Sequence, residues 1–186
     1  MNTVIERLQE YGSITEKAYA AISQIVAHKQ YKKGDFILRE DKVCQHIGFI
    51  EKGMTRNFYY KDGKDITTTF AYEEDPCLSM YSFISQKPSL ESIEALEDCV
   101  IWSISYQQLQ DLYQRFPSLN LIGRLLTEEY YIMLEDHTRA LKHLSSKERY
   151  VQLMEDYPDI IQRVPLTHIA SYLGMTKENL SRIRRI

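Results

Sequence analysis

Apolar and polar positions along the chain fall into three textures. From Thr3 to His28 apolar residues recur at helical steps. Thr3 is placed to cap a turn containing Ile5 and Leu8, and Thr15 opens a run with Ala18, Ile22, Ile25 and Val26 on one side. From Gln30 onward, short segments rich in β-branched and aromatic residues take over: KKGDFILRE, HIGFIEKGMTRNFYY and DITTTFAY. Gly34, Gly53 and the Asp62-Gly63 pair punctuate them, the last being a strong hairpin signal. A further pair of strands is predicted around Ser92–Ala95 and Cys99–Ile104. Regularly spaced short strands of this kind predict a β-sandwich or jelly roll.

Beyond Tyr106 the helical period returns. Gln107 to Phe116 makes a short helix that Pro117 breaks. From Ser118 a seam of Leu119, Ile122, Leu126, Tyr130, Met133, His137, Ala140 and Leu144 recurs at steps of three or four, over a helix of ~38 Å. A seam of that length either meets a partner helix, which would make it a dimer seam, or lies on the chain's own β-roll. The step from Leu126 to Tyr130 departs from heptad spacing, so helix pairing would loosen there. Ser145 and Glu148 have capping-box spacing, which restarts a helix and marks a boundary and hinge. Tyr150, Val151, Leu153 and Met154 offer a packing face, Pro158 ends the helix, and little room for a β-hairpin remains before Pro165.

The segment VPLTHIASYLGMTKENLSRIRRI, from Val164, is a helix-turn-helix pattern. Ile169, Ala170 and Leu173 share a face, Gly174 supplies the turn, Thr176 caps a second helix, and Leu180 and Ile183 face back to the first. Lys177, Glu178, Ser181, Arg182, Arg184 and Arg185 are left on the outer face. Arg182 has the fork to take guanine O6 and N7 in a major groove. Glu178, one turn earlier, can accept from cytosine N4 or hold the arginine straight. Lys177, Arg184 and Arg185 suit phosphates. The alternative is a helical hairpin with a solvated basic face. The expected fold class is α+β, with a jelly-roll or β-roll over 1–117, a long helix over 118–144 and a winged-helix-like helix-turn-helix region over 145–186.

Charge changes the picture only when divided. From Arg139 to Ile186 nine Lys or Arg stand against five Asp or Glu, a balance of +4. The whole chain is −3, so residues 1–138 carry −7. An acidic body with a basic end places any nucleic-acid surface at the end. The 44% apolar share is ordinary for a soluble domain, and no apolar run approaches a membrane span. MNTVIERLQE has no signal-sequence character, so a cytoplasmic location is expected, with no membrane partner. Cys44, Cys77 and Cys99 are scattered and form no metal-ligand set, so buried reduced thiols are expected. A redox role for Cys77 or Cys99 is the lesser reading.

Gly34 in KKGDFIL, Gly53 in FIEKGMTR, the Ile104–Tyr106 triplet and the terminal helix-turn-helix together resemble the Crp/Fnr family of bacterial transcription regulators, within the cyclic-nucleotide-binding superfamily. The resemblance covers nearly the whole chain. It implies a homodimer joined by the long helix, with double-stranded DNA and RNA polymerase as partners. It places Lys177, Glu178, Ser181 and Arg182 at base-reading positions, with Thr176, Arg184 and Arg185 positioning the helix on phosphates. The Glu-x-x-Ser-Arg arrangement looks more like the Fnr branch, which implies a half-site related to TTGAT. The chain reaches Ile186 without the strands that follow the recognition helix in Crp itself.

The family's cyclic-nucleotide site supplies a glycine and a glutamate at its start, and an arginine with a small hydroxyl residue at its end. The matching positions here are Leu78, Ser79 and Ser89, and no arginine lies between Arg56 and Arg115. Acidic residues from Glu73 to Asp98 would repel a cyclic phosphate. Cyclic AMP and cyclic GMP are therefore not expected to bind. The N-terminal cysteine cluster of the family's oxygen sensors is absent, and His46 has no context that favours haem. Ser79, Met80, Tyr81, Ser82, Phe83, Ser89 and Ser92 remain as a pocket for a small neutral or apolar effector, or as a filled core in a protein that needs none. Two other classes stand beside the regulator. One is a sensor or interaction module that no longer binds DNA. The other is a cupin-like enzyme, for which a β region with only His46 lacks ligands, so no enzyme is expected.

Overall fold

The structure, a computed structural model, describes residues 2–185 and the side chains from Val4 onward. The terminal Ile186 lies outside the described residues, as does the Thr3 side chain on which the expected cap depends. Helix α1 runs Asn2–Gln9 and α2 Glu16–Ile25. Thr15 caps α2, its hydroxyl accepting from the Ala18 N–H at 3.2 Å. The change to strand comes earlier than the composition suggests. Val26 is already extended, and β1 covers Ala27–Tyr31. Its side chains are almost all exposed and it pairs only with one neighbour, so no apolar alternation marks it.

Seven further strands complete two four-stranded antiparallel sheets. They are β2 (Phe36–Leu38), β3 (His46–Lys52), β4 (Thr55–Lys61), β5 (Lys64–Ala71), β6 (Pro76–Cys77), β7 (Ser92–Ala95) and β8 (Cys99–Ser105). The orders are β1-β8-β3-β6 and β2-β7-β4-β5. Ile50, Cys77, Ile93, Cys99 and Ile101 fill the space between the sheets, where alternate residues of each strand point inward. The β4–β5 hairpin turns at Asp62 and Gly63 with φ of 52° and 75°, the left-handed pair that a two-residue type I′ turn requires.

Helix α3 (Met80–Ser85) lies in the connection between β6 and β7, and α4 (Tyr106–Arg115) starts at a complete capping box made by Ser105 and Gln108. The long helix α5 spans Pro117–His143, with Pro117 in its first turn, where its missing N–H costs nothing. Its apolar seam turns toward the chain's own body. Leu119 and Ile122 are buried with Ala18, Ala21 and Leu112, and Leu126 packs at the margin of that cluster. Tyr130, Met133, His137 and Ala140 line a cleft against Tyr72, Tyr157 and Tyr172. Of the seven residues of the expected dimer seam, Leu119 and Ile122 are thus buried within the chain's own body, while Leu126, Tyr130, Met133, His137 and Ala140 stay half-buried along it. Two apolar stripes run along α5; the longer one covers the sheets and helices beneath. Leu121, Tyr131, Ile132, Leu134 and Leu141 make the exposed side.

Ser145 and Glu148 form the capping box of α6 (Ser146–Asp156). The span between Pro158 and Pro165 holds a single turn, α7 (Ile160–Arg163), followed by α8 (Leu166–Tyr172) and α9 (Lys177–Ile183). Among the described residues this region is helical, with no strand to form a wing. Leu153 packs inward as expected, but Val151 is exposed. One apolar cluster joins Met54, Phe70 and Leu96 of the roll to Leu153, Ile160, Ile169 and Leu180 of the C-terminal helices. At about 1.5–3 kcal/mol per fully buried aliphatic side chain, this shared core holds α8 firmly against β5.

Candidate nucleic-acid interface and effector position

The turn between α8 and α9 is built as the spacing predicts. Gly174 has φ +61°, and a side chain there would also press on Leu141. Thr176 caps α9 by accepting from the Asn179 N–H at 3.2 Å. Ile169 and Leu180 are both fully buried at the crossing, with Ala170 beside them. With Leu180 anchored, the helical period turns Lys177, Glu178 and Arg182 to solvent, followed by Arg184 and Arg185 just past the helix; Thr176 is exposed and Ser181 half-buried.

One contact differs from the expected one. Arg182 is steadied by Asn179, its Nη2 donating to Oδ1 at 2.9 Å, rather than by Glu178. Asn179, being uncharged, does not stand out in the sequence beside its charged neighbours. Its place three residues before Arg182 was the available signal. Glu178 in the first turn of α9 faces the positive end of the helix dipole.

The effector position is more filled than the sequence suggests. Ser79 and Ser89, matched to the glutamate and arginine of a cyclic-nucleotide site, do come together: their hydroxyls are 3.0 Å apart and buried. Ser89 Oγ is also 2.7 Å from the Glu91 carbonyl. Ser82 Oγ accepts from the Cys44 N–H at 2.9 Å and donates to the Lys87 carbonyl at 2.5 Å. Ser92 Oγ accepts from the Glu40 N–H at 3.0 Å. These four serines tie the β6–β7 connection to the roll, so they are corrected from pocket lining to internal links. A neutral hydroxyl pair stands where an ionic clamp on phosphate would be needed. Tyr81 is exposed, whereas Met80 and Phe83 face apolar surroundings with Phe83 against Tyr106.

Arg56 of β4 points away from this region. It is buried on the outer face of β4, donating to Glu94 and Asp65 at 2.7 Å and to Thr67 at 3.1 Å. Its Nη1 also meets His168 Nδ1 in α8 at 2.8 Å. Burial first, then the Arg56 charge, lowers the His168 pKa against the pull of Asp65 and Glu94. A second bridge between roll and helices is Arg163, whose guanidinium meets both Glu73 and Glu97 at 2.8–2.9 Å. Carboxylates on both sides raise the arginine's pKa. None of these contacts was legible in the sequence, because a buried cation and its partners are far apart along the chain.

Cys44, Cys77 and Cys99 are buried and unpaired, and burial pushes the Cys77 thiol up to about 12, which leaves it protonated and inert. Among the described residues no three His, Cys, Asp or Glu side chains converge as a metal site, and His46 is exposed at the start of β3. No helix among them is long and apolar enough to cross a membrane.

Residues 28–116 match the family model of the cyclic nucleotide-binding domain. No curated protein sequence matches the chain. Solved structures share its fold at low identity. FixK2 from Bradyrhizobium japonicum has a TM-score of 0.76 at 18% identity, over 87% of this chain and 83% of its own. The global regulator CLP from Xanthomonas campestris has a TM-score of 0.71 at 16% identity, over 92% and 90%. A protein from Eubacterium rectale assigned to the Crp/Fnr family has a TM-score of 0.72 at 19% identity, over 92% and 82%.

Proposed function

We propose that this chain, which carries a cyclic nucleotide-binding domain and the fold of the Crp/Fnr regulators, is a sequence-specific DNA-binding transcription regulator. The observation that carries the reading is the face of α9. Leu180 is fully buried against α8, while Lys177, Glu178 and Arg182 stand exposed together with Arg184 and Arg185. A helix held from behind and basic in front is what entry into a major groove requires. Arg182, steadied by Asn179, is the guanine reader; Lys177, Glu178 and Ser181 contact neighbouring bases, and Thr176, Arg184 and Arg185 hold phosphates.

The working unit is a homodimer, and RNA polymerase is its further partner. Support for pairing comes from the outward side of α5, where Tyr131 and Ile132 are about 60% exposed and Leu121, Leu134 and Leu141 lie nearby. Apolar residues at such exposure on a long helix invite a second copy. Cyclic AMP and cyclic GMP are not its effectors, since the buried Ser79–Ser89 pair offers a cyclic phosphate no charge. The relatives of similar fold are regulators, and the chain is read as a regulator, not an enzyme.

Selection of bound sequences from a random DNA pool, with purified ligand-free protein at physiological salt, tests the reading. A two-fold site with half-sites about one helical turn apart is expected. Recovery of nothing above background, with or without cell extract, would overturn it.

A further inference from the structure

The apolar clusters of the molecule do not meet everywhere. On one side, α1, α2, α4 and the first half of α5 pack together around Ala18, Leu112 and Ile122. On the other, Leu78, Phe83 and Tyr106 pack around α3 and the near end of the sheet. Between them, against the outer face of β3 and β8, lies a cavity of about 270 Å³. Its walls are Val4 and Ile5 from α1, Phe49 and Trp102 from the sheet, and Ile122 and Leu126 from α5.

The cavity lies outside the two-sheet interior and is not lined by Ser79 or Ser89, but Leu78, Met80 and Phe83 beside them, the last two from the effector pocket expected from the sequence, form part of its wall. A local reason for the gap is visible at Gly123. A Cβ there would fall 1.9 Å from the Tyr113 hydroxyl, so α4 and α5 close tightly at that point.

No charged side chain among the described residues lines this space. The polar side chains at its margin include Gln110, Thr127 and the tyrosines Tyr113 and Tyr130. An apolar pocket of such composition, partly open to solvent beside Ile84, offers water few partners, and an engineered apolar cavity of about 150 Å³ already takes up benzene. Native cores hold few voids larger than one water, and the walls of a void lose dispersion contacts. The volume lies close to the lower end of the roughly 300–1,000 Å³ usual for ligand sites. Size and lining together select the occupant.

We propose that this cavity is a binding site for an uncharged, mainly hydrocarbon small molecule, such as a medium-chain alcohol or an unsubstituted aromatic compound. The occupant lies between α1 and α5 on Trp102, with any hydroxyl toward Gln110 and Thr127. Leu126 and Tyr130 border both this cavity and the cleft where α5 meets the C-terminal helices. An occupant that favours one position of α5 therefore acts on the placement of α8 and α9. That last step rests on the DNA-binding reading; the site itself does not.

Trp102 is the one tryptophan of the chain and a wall of the cavity, so it reports occupancy without DNA. The full-length protein is titrated with decanol, decanoate and decylammonium while Trp102 emission is followed, and N-phenylnaphthylamine fluorescence gives a second signal. The expected result is saturable binding of decanol that displaces the naphthylamine, with at least tenfold weaker binding of both ions. Val26→Phe fills the space and should weaken decanol at least tenfold while far-UV circular dichroism is unchanged. If Val26→Phe does not fold, Thr127→Phe at the rim carries the same test. Equal binding of the three probes, or decanol binding unaffected in a folded filled variant, would overturn the site. A DNA-binding failure alongside intact decanol binding would count against the regulator reading and leave the site standing.

Discussion

Arg56 Nη1 and His168 Nδ1 lie 2.8 Å apart and join the β-roll to the first helix of the helix-turn-helix. The arginine is always charged, so the histidine must be neutral at Nδ1 to accept its hydrogen bond. Protonation would set two cations against each other. The His168 pKa is lowered by burial and by Arg56, below its unfolded value near 6.5. Its contribution to stability is therefore present above that unfolded value and lost as pH falls through the folded one. The melting temperature should drop between pH 7 and pH 5. His168→Gln, which keeps an acceptor and cannot titrate, should remove its share of the pH dependence; His46 and His137, both shifted the same way by burial, and Asp75, shifted the opposite way, set the rest. An unchanged profile in the variant would show that the contact does not couple to folding.

Asp75 acts in the opposite sense. Burial pushes its carboxyl up to about 6, against the Tyr72 N–H that its Oδ2 accepts at 3.1 Å. With the folded pKa above the unfolded one, the contribution of this group is full at acid pH and lost as pH rises through about 6. Asp75→Asn keeps an acceptor for Tyr72 and removes the buried charge. It should stabilise the protein at pH 8 by on the order of 2–3 kcal/mol and do little at pH 4. Urea melts at the two pH values check this.

Arg163 is held by two carboxylates from the roll, Glu73 and Glu97. Arg163→Ala leaves both acids without their shared cation and should cost about 1–2 kcal/mol, less than a fully buried pair because all three groups are partly exposed. Arg163→Lys should rescue little, since a point charge cannot meet two carboxylates as the guanidinium fork does. Faster hydrogen exchange in α7 and β5 would mark the loss of docking in particular.

At the proposed DNA face, Arg182→Ala should cost ~1–3 kcal/mol and relax selectivity at one base pair, as read by competition among single-base variants of the selected site. Asn179→Ala removes the support 2.9 Å away and should weaken the same position by a smaller amount. A uniform loss across all sites would instead make Arg182 a phosphate contact.

Ile132→Glu places a charge on the exposed side of α5 and should shift self-association in sedimentation equilibrium toward monomer without lowering the melting temperature of the monomer. Met133→Glu, one residue on but facing the intramolecular cleft, should destabilise the fold instead. The two neighbours separate the outward side from the seam.

Much of the local architecture was legible in advance. Caps at Thr15, Ser145 and Thr176, the Asp62-Gly63 hairpin, the Gly174 turn and the strand over Ser92–Ala95 all rest on residues within a few positions of one another. So did the exposed faces of α9, because a short helix with one buried leucine has only one way to turn. Edge strand β1 escaped notice, since a strand exposed on nearly every residue has no alternation to read. The serines at 79, 82, 89 and 92 looked like a pocket lining for a related reason. A hydroxyl's partner cannot be told from its sequence, and here the partners are one another and the backbone.

By itself the sequence determined the succession from helices to a β region and back to helices, the turn of the helix-turn-helix and the basic face of α9. These follow from periods, caps and residue chemistry that act over a few residues. Only the tertiary structure decided which side of α5 faces inward, that Arg56 reaches His168 across 112 positions, and where helices and sheet stand apart to leave an apolar cavity. Such relations depend on how two distant surfaces fit in shape and charge. A periodic pattern says that a face will be buried, and only packing says against what.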